Sequence, residues 1–350
     1  QASDPRINWK ELIQFKRQFT DSIPESTRKK LVDMGIDYYQ GEPAFTGPDS
    51  IEVNGEELKA RKIHIATGAT PSRTCVKGEE LLCHSDDFLE REDLPQRIVF
   101  VGGGYITFEF AHLAARAGRD VTILSATPRP LGAFDEWLVE KLVQKSEEIG
   151  ITIHHNSRVT LVEKKDGKYL LHVEGRDGPV EADFAVHGAG RVPAVENLNL
   201  EKANLERGKK GGVVVNEYLQ SPTNPDVYSA GDCAETPGLP LTPVAGIEGK
   251  MAGLNLLEGN KHKPDYTAVP TVIFTVPPMG RVGLLPKEAE ERGYQFRIKE
   301  ADTAGWYSTR RMGGDCSAFR VLIDKDTEQI LGAHLLGHHS GEVINLFSLA

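Results

Sequence analysis

A cluster of three glycines is the feature of this sequence with the clearest chemical meaning. Gly102, Gly103 and Gly104 follow a hydrophobic run at residues 97–101 and precede an apolar helical pattern that begins at Tyr105. Glycine permits a tight turn, so that backbone N–H groups at a helix N-terminus approach a pyrophosphate closely. Because a second strand is predicted after the helix, the pattern indicates a dinucleotide-binding turn rather than a simple packing turn.

The residues that follow this second strand, 121–124, indicate which coenzyme the turn would take. In an NAD site an Asp or Glu at this point accepts hydrogen bonds from the ribose hydroxyls. Here Leu124 is followed by Ser125, Thr127 and Arg129, without an acid among residues 125–129. We therefore expect NADPH, with Ser125 and Arg129 near its 2′-phosphate. NADH stays possible if Arg129 is only a solvated loop charge.

Two carboxylates lie at positions that suggest a functional role, one in an apolar helix and one at the end of a strand. Glu109 interrupts the apolar helix after the glycines, and a buried carboxylate is costly unless it is paired. We expect it near the nicotinamide or beside a cation; the alternative is a partly exposed helix charge. Asp232 ends a strand at residues 226–230, where ligands bind in open α/β sheets. It is predicted to bind a sugar or ribityl hydroxyl, with a helix that begins near Thr242 facing the phosphates, although Gly-Asp is also a common turn.

An internal repeat shows which elements carry these residues. Hairpins at residues 51–58 and 159–174 are each followed by a buried strand that ends on small residues. A strand, the glycine turn and a helix precede the second copy, whereas a predicted helix at residues 8–34 and a short strand at 37–45 precede the first. Since a βαβ unit needs about thirty residues or more, we expect the chain to begin part-way through a domain.

The composition excludes several classes of protein. The 350 residues are 39% hydrophobic and carry a net charge of −10, with 41 Lys and Arg scattered along the chain. This pattern predicts neither a nucleic-acid partner nor a membrane partner, and no apolar run has the length of a bilayer span. The four cysteines, at positions 75, 83, 233 and 316, fit neither a zinc site nor a close-spaced redox pair. We expect a cytoplasmic protein with reduced cysteines and no bound metal.

Four short motifs occur in an order that resembles the class I flavoprotein disulfide reductases. They are Ile65-Ala66-Thr67-Gly68, Gly102-Gly103-Gly104-Tyr105-Ile106, Gly190-Arg191-Val192-Pro193 and Ser229-Ala230-Gly231-Asp232. The chain resembles that family from end to end. Within it, the segments 8–10, 43–46, 269–275 and 280–284 are most similar to glutathione reductase, and lipoamide dehydrogenase and mercuric reductase share the same scaffold.

The resemblance implies an α/β fold with two Rossmann-like nucleotide-binding domains and an α+β dimerisation domain. An NAD(P)H-binding domain at residues 96–217 is expected to be inserted into an incomplete FAD-binding domain. The latter comprises residues 1–95 and a return segment at 218–262. Residues 263–350 would form a truncated dimerisation domain, and the protein would be a homodimer.

The resemblance also assigns residues to both nucleotide sites. The residues expected along the FAD cleft are Pro43, Thr67, Gly68, Ser85, Arg191, Asp232 and Thr242. The residues expected at the NAD(P)H site are Gly102, Gly103, Gly104, Tyr105, Ile106, Glu109, Ser125, Arg129, Gly190 and Val282. Tyr105 would cover the flavin until NADPH displaces it, and Glu109 would support catalysis. Ala126 and Gly132 stand where glutathione reductase has two arginines for the 2′-phosphate.

Two parts of the family's catalytic machinery have no counterpart in these 350 residues. Neither a Cys-x4-Cys redox pair nor the His-Glu acid–base pair of the family occurs in the sequence, and His338 and His339 are weak substitutes. The 350 residues alone are therefore expected to be inactive.

The leading hypothesis is a FAD-dependent NADPH:disulfide oxidoreductase similar to glutathione reductase. Hydride would pass from NADPH through FAD to a cysteine pair outside this sequence, and on to a small disulfide such as glutathione disulfide. One alternative is an NAD(P)H oxidase or electron-transfer reductase without a redox disulfide. The other is a non-catalytic nucleotide-binding or dimerisation fragment.

Overall fold

The structure is a computed structural model that describes residues 7–350, so the first six residues of the predicted first domain lie outside it. The described residues contain nine α-helices. These are α1 (Trp9–Thr20), α2 (Ile23–Asp33), α3 (Ser85–Glu90), α4 (Tyr105–Arg116), α5 (Glu136–Glu148), α6 (Thr242–Glu258), α7 (Pro286–Glu291), α8 (Tyr307–Arg311) and α9 (Ser340–Leu349). None of these helices is long and apolar enough to cross a membrane.

The same residues form short strands throughout the chain. In the first half these are β1 (Ala44–Gly47), β2 (Ser50–Val53), β3 (Glu56–Lys59), β4 (Ile63–Ile65), β5 (Ala69–Pro71), β6 (Arg97–Val101), β7 (Asp120–Leu124), β8 (Ile151–His154), β9 (Val159–Lys165) and β10 (Lys168–Val173). In the second half they are β11 (Val180–Ala182), β12 (Phe184–His187), β13 (Arg191–Pro193), β14 (Val213–Val214), β15 (Val227–Ser229), β16 (Ala234–Glu235), β17 (Thr271–Ile273), β18 (Met279–Gly283), β19 (Phe296–Asp302), β20 (Ala318–Asp324) and β21 (Ile330–Leu336).

Two compact units divide the chain. The first unit consists of Gln1–Arg17, described from residue 7, together with Arg73–Gly190 and Ala268–Ala350. The second unit consists of Gln18–Ser72 and Arg191–Thr267. Each unit thus joins segments that are distant in sequence. The predicted domain limits after residues 95, 217 and 262 differ from the limits of these units and stay predictions.

A four-stranded parallel sheet forms the centre of the first unit, in the order β12-β6-β7-β8. Its strands are almost continuously apolar because both faces are covered. Ile98 and Phe100 of β6 pack with apolar residues of α4 and α5, while Val99 and Val101 pack against the antiparallel sheet β11-β10-β9. Because the four strands are parallel, their carboxyl ends share one edge, and the residues that follow them there are Gly102, Ser125, His155 and Gly188.

The first unit also contains a five-stranded antiparallel sheet, in the order β17-β18-β21-β20-β19. Helix α9 packs on this sheet, with Ile344 buried among residues that include Val282 and Ala333. The mixture of helices and antiparallel strands is the α+β arrangement expected for residues 263–350.

The repeat predicted from the sequence is present in the structure. Strands β1-β2-β3 form a three-stranded antiparallel sheet and precede β4, just as β9, β10 and β11 precede β12. Strand β4 pairs in parallel with β15, and β12 pairs in parallel with β6. In the second unit, β4 and β15 place the segments after Ile65 and Ser229 at one edge.

Two elements predicted near the N-terminus were wrong in extent. The helix expected over residues 8–34 is two helices, because α1 ends at Thr20 and α2 begins at Ile23. Pro24 lies in the first turn of α2, where its missing N–H is tolerated, but it would break a continuous helix. The strand expected over residues 37–45 is present only at its end, in β1.

A buried histidine connects three elements of the first unit. His112 of α4 is 1% exposed, and its Nδ1 accepts a hydrogen bond of 3.2 Å from the backbone N–H of Val276. Its Nε2 therefore carries the proton and donates to Ser146 Oγ at 2.9 Å, and that hydroxyl donates to the carbonyl of Leu142 at 2.7 Å. Burial lowers the pKa of His112 to about 4, so the neutral form is built into the fold.

We predict that acid destabilises the protein through this residue. Between pH about 6.5 and about 4 only the unfolded chain takes up a proton at His112, so the free energy of unfolding should fall by about 1.4 kcal/mol per pH unit for this group. His112→Asn retains an acceptor for Val276 but does not titrate. Urea unfolding across this pH range should show a shallower slope for this variant than for the parent.

Ser146→Ala is the matched control, because it removes the hydrogen bond and keeps the imidazole. Its stability should be lower at every pH, with the slope retained. The slope left in His112→Asn should come in part from His334, whose pKa burial also lowers to about 4. Equal slopes for the parent and His112→Asn would contradict the assignment.

Candidate nucleotide-binding sites

The glycine turn lies at the carboxyl edge of the parallel sheet, between β6 and α4. Gly102 has φ +127°, and a Cβ atom on it would lie 2.3 Å from the carbonyl oxygen of Gly188. Its N–H donates to the carbonyl of Leu124 at 2.9 Å, and the N–H of Gly188 donates to that of Val101 at 2.8 Å. The ends of three neighbouring strands are therefore held together through backbone atoms.

The remaining glycines keep side chains away from the same surface. A Cβ on Gly103 would lie 2.5 Å from Ser125 Oγ, and the Gly103 carbonyl accepts from the N–H of Leu131 at 2.8 Å. Thr107, in the first turn of α4, is buried, and a Cβ on Gly188 would lie 2.0 Å from its Oγ1. Gly188 thus provides the room that Thr107 occupies. A turn without side chains at the N-terminus of a twelve-residue helix fits a pyrophosphate.

The two residues expected near a 2′-phosphate differ in their surroundings. Ser125 is fully buried, and its hydroxyl lies 3.0 Å from Thr127 Oγ1, so it faces its own loop. Arg129 is about one third exposed and forms a salt bridge of 3.1 Å with Glu136, the first residue of α5. The cation is therefore available at the surface, although it is shared with a carboxylate.

Glu109 is half-buried on α4, and its partner is a backbone amide. Its Oε1 accepts a hydrogen bond of 2.9 Å from the N–H of Phe274, just after β17. Burial raises the pKa of the Glu109 carboxyl above its ordinary value, and the Phe274 amide partly opposes this effect. Among residues 7–350 no salt bridge reaches this carboxylate, and its expected place beside the nicotinamide stays a prediction.

The other residues expected at this site lie on several elements of the first unit. Tyr105 begins α4 and is 46% exposed, and Ile106 packs partly against the core. Gly190 has φ +114° and follows β12 at the same edge as the glycine turn. Val282 lies in β18 and is 3% exposed, so its side chain belongs to the core of the antiparallel sheet and only its backbone is available to a ligand.

A cavity lies in the second unit, where β4 and β15 end. It has a volume of about 240 Å³ and contains three of the residues expected to bind FAD, namely Gly68, Asp232 and Thr242. Gly68 and Gly231 have φ of +70° and +74°, so the backbone turns sharply on both sides. The residues present fit a flavin nucleotide, since a carboxylate and a helix N-terminus face one space at a parallel sheet edge.

Among the residues of this cavity that sequence analysis did not assign, His64 is the one with a polar side chain. His64 lines it from β4, and its Nε2 is buried without a hydrogen-bond partner among the described residues. Burial lowers the pKa of His64 below its ordinary value. Its position between Ile63 and Ile65 is the signal, because alternate residues of a strand point to opposite faces.

The remaining residues expected at the FAD site are less close together. Pro43 and Thr67 line a smaller apolar cavity of about 90 Å³, which shares His64 with the cavity at Asp232. Arg191 donates a hydrogen bond to the carbonyl of Ala69, across the pair of β13 and β5. Ser85 begins α3 in the first unit. These assignments stay predictions.

The candidate catalytic groups are few. All four cysteines are free, and only Cys75 is exposed. The described residues contain no group of three or more His, Cys, Asp or Glu side chains that would hold a metal ion. His338 and His339 lie between β21 and α9 and line a cavity of about 300 Å³ with Trp306.

Known proteins are similar to this chain in both sequence and fold. Residues 10–249 match the family described as pyridine nucleotide-disulphide oxidoreductase, and residues 269–350 match the dimerisation domain of that family. The chain belongs to this family. The match confirms the expected resemblance and the α/β fold with a dimerisation domain.

Individual relatives include enzymes with different substrates. Mercuric reductase of Bacillus cereus is 31% identical over 348 residues, which are 97% of this chain and 55% of that protein. Glutathione reductase of Pisum sativum is 28% identical over 99% of this chain and 62% of that enzyme. The chain of this protein therefore spans 55% and 62% of the lengths of these two relatives.

A solved structure agrees closely with the fold. The HOCl-induced flavoprotein disulfide reductase RclA from Escherichia coli has a TM-score of 0.89 and 27% identity. The similarity covers 98% of this chain and 79% of that one.

We predict that the glycine turn tolerates a methyl group at one end and not at the other. Gly102→Ala would force a side chain into a left-handed conformation and against the Gly188 carbonyl, and should cost about 1–3 kcal/mol of stability or more. Gly104→Ala is the matched control, because its Cβ would meet the same carbonyl at an ordinary 3.6 Å. Its stability should stay within about 0.5 kcal/mol of the parent in thermal unfolding. Equal losses for the two variants would contradict the close approach at Gly102.

Proposed function

We propose that this chain is the nucleotide-binding and dimerisation part of a FAD-dependent NADPH:disulfide oxidoreductase. The observation that carries the proposal is the presence of two sheet edges of the same type, one in each unit. One has the side-chain-free turn at Gly102–Gly104, and the other has Asp232 and the N-terminus of α6. When bound, NADPH and FAD would supply hydride transfer, which no side chain of the chain provides.

The chain's own residues bind and orient the two nucleotides in this proposal. The N–H groups that follow Gly104 would hold a pyrophosphate at the start of α4. Asp232 would accept hydrogen bonds from ribityl or ribose hydroxyls, and the first turn of α6, which begins at Thr242, would face the phosphates. Glu109 and Tyr105 support the nicotinamide end, with the Phe274 amide holding the Glu109 carboxylate in one orientation.

NADPH is the proposed coenzyme because of the loop after β7. No carboxylate follows Leu124 within residues 125–129, where it would repel a 2′-phosphate, and Arg129 is a partly exposed cation of this loop. Ser125 contributes through the shape of the loop, since its hydroxyl is already bonded to Thr127. NADH would remain a weaker substrate.

The substrate in this proposal is a small disulfide such as glutathione disulfide, reduced by a cysteine pair outside the sequence given. The protein would act as a homodimer, because residues 269–350 match the dimerisation domain. Its proposed location is the cytoplasm. Reduction of mercuric ion is the second candidate. It is favoured by a Staphylococcus aureus protein encoded in a mercuric resistance operon, which is 49% identical over 153 residues, and by mercuric reductases that match 97% of this chain.

The two candidates are separated by one assay on the holoenzyme. NADPH oxidation should be stimulated by glutathione disulfide, and replacing NADPH by NADH should lower kcat/KM about tenfold. Mercuric chloride in excess thiol tests the second candidate, and dissolved oxygen alone serves as the control for an oxidase. Stimulation by mercuric ion without any by disulfides would select the second candidate, and equal rates with oxygen alone would reject both.

A further prediction tests the coenzyme site without flavin. Arg129→Ala should weaken the binding of 2′-phospho-ADP-ribose about tenfold or more, which corresponds to the loss of one charge-assisted hydrogen bond. The binding of ADP-ribose should change little. Glu136→Gln is the matched variant, because it frees Arg129 from its salt bridge. It should increase the affinity for 2′-phospho-ADP-ribose and leave that for ADP-ribose unchanged. Calorimetry of the 350-residue chain gives both affinities, and an equal loss for the two ligands would remove Arg129 from the site.

A further inference from the structure

A buried carboxylate in the second unit is hydrogen-bonded to the loop that carries Asp232. Glu248 belongs to α6 and is 1% exposed. Among the described residues, no Lys, Arg or His forms a salt bridge with it. A carboxylate buried in this way costs several kcal/mol unless polar groups satisfy it.

Three donors, each from a different segment, surround this carboxylate. Oε2 accepts a hydrogen bond of 2.7 Å from the backbone N–H of Gly231. Oε1 accepts from Thr236 Oγ1 and from Tyr266 Oη, both at 2.7 Å. Burial and the bond to Glu248 raise the pKa of Tyr266, which keeps its hydroxyl protonated as the donor. Glu248 therefore ties residues 231, 236 and 266 to one helix.

The bond to Gly231 has a particular consequence for the cavity. Gly231 has φ +74°, and a Cβ on it would lie 3.1 Å from the Cβ of Ala245, so the loop passes close to α6. Glycine has the widest conformational freedom of any residue, and its orientation must be held by other groups. The next residue is Asp232, which lines the same cavity as Thr242, Ala245 and Gly249 of α6.

The position of the charge is informative because packing does not require it. An apolar side chain at this position would avoid the desolvation cost of a buried carboxylate. We propose that Glu248 is a positioning residue for the flavin, whose carboxylate fixes the Gly231 amide so that Asp232 faces the ribityl hydroxyls. The inference rests on the proposed binding of FAD at this cavity.

The affinity of the holoenzyme for FAD, measured by flavin fluorescence after removal and titration of the cofactor, tests this role. Glu248→Leu removes the acceptor for Gly231 and should raise the Kd for FAD about tenfold or more. Tyr266→Phe is the matched control, because it removes one donor to the same carboxylate and leaves the Gly231 bond in place. It should lower the thermal stability and change the Kd less than about threefold. Glu248→Gln retains an acceptor for Gly231 and should behave like Tyr266→Phe.

A double-mutant cycle separates positioning from general stabilisation. Asp232→Ala alone should weaken FAD binding, and adding Glu248→Leu to it should weaken binding no further, because Glu248 acts through Asp232. Additive losses of affinity in the double variant would overturn the inference. A single correlation between the Kd for FAD and thermal stability across all variants would overturn it too. If Glu248→Leu does not fold, Glu248→Asp carries the same test, since it withdraws the carboxylate from Gly231 and keeps the charge.

Failure of the proposed function gives a different result. A parent protein that does not bind FAD, or an Asp232→Ala variant with unchanged Kd, would reject FAD binding at this cavity together with the inference. A parent whose FAD affinity depends on Asp232 and not on Glu248 would reject the inference alone.

Discussion

The space between the ends of β6 and β12 admits backbone atoms only. A single methyl group at Gly102 would overlap the carbonyl of Gly188, and one at Gly188 would overlap Thr107. Because of this close approach, the edge of the parallel sheet carries only glycines at the point where α4 begins. The candidate nucleotide-binding surface, the entry of α4 and the placement of Glu109 one turn later all depend on it.

Features with a strong local signature were predictable from the sequence. The glycine turn, the two hairpin-and-strand copies and the helix at Thr242 were found because glycine spacing and hydrophobic periodicity are local properties. Asp232 and Gly68 were placed correctly at a sheet edge, since parallel strands bring their carboxyl ends together. The continuous helix over residues 8–34 was wrong, because its apolar periodicity outweighed Pro24 in the interpretation.

Contacts between distant segments were not predictable in the same way. Glu109 accepts a hydrogen bond from the Phe274 amide, and His112 accepts one from the Val276 amide. Each bond joins residues more than 160 positions apart in the sequence. No periodicity or motif indicates that a histidine in an apolar helix will accept from one backbone group and donate to one hydroxyl. For the same reason no pattern in the sequence singled out Glu248, and Val282 gave no sign that its side chain belongs to a sheet core.

The discontinuous make-up of the two units has a consequence for synthesis on the ribosome. Strand β4 emerges early, but its neighbour β15 lies beyond the whole of residues 73–190. At ordinary elongation rates this interval lasts on the order of ten seconds. During that time the nascent chain carries an unpaired strand edge of the kind that other chains readily extend. Chaperone protection of the early segment would therefore matter more for this protein than for one whose domains are completed in the order in which they are translated.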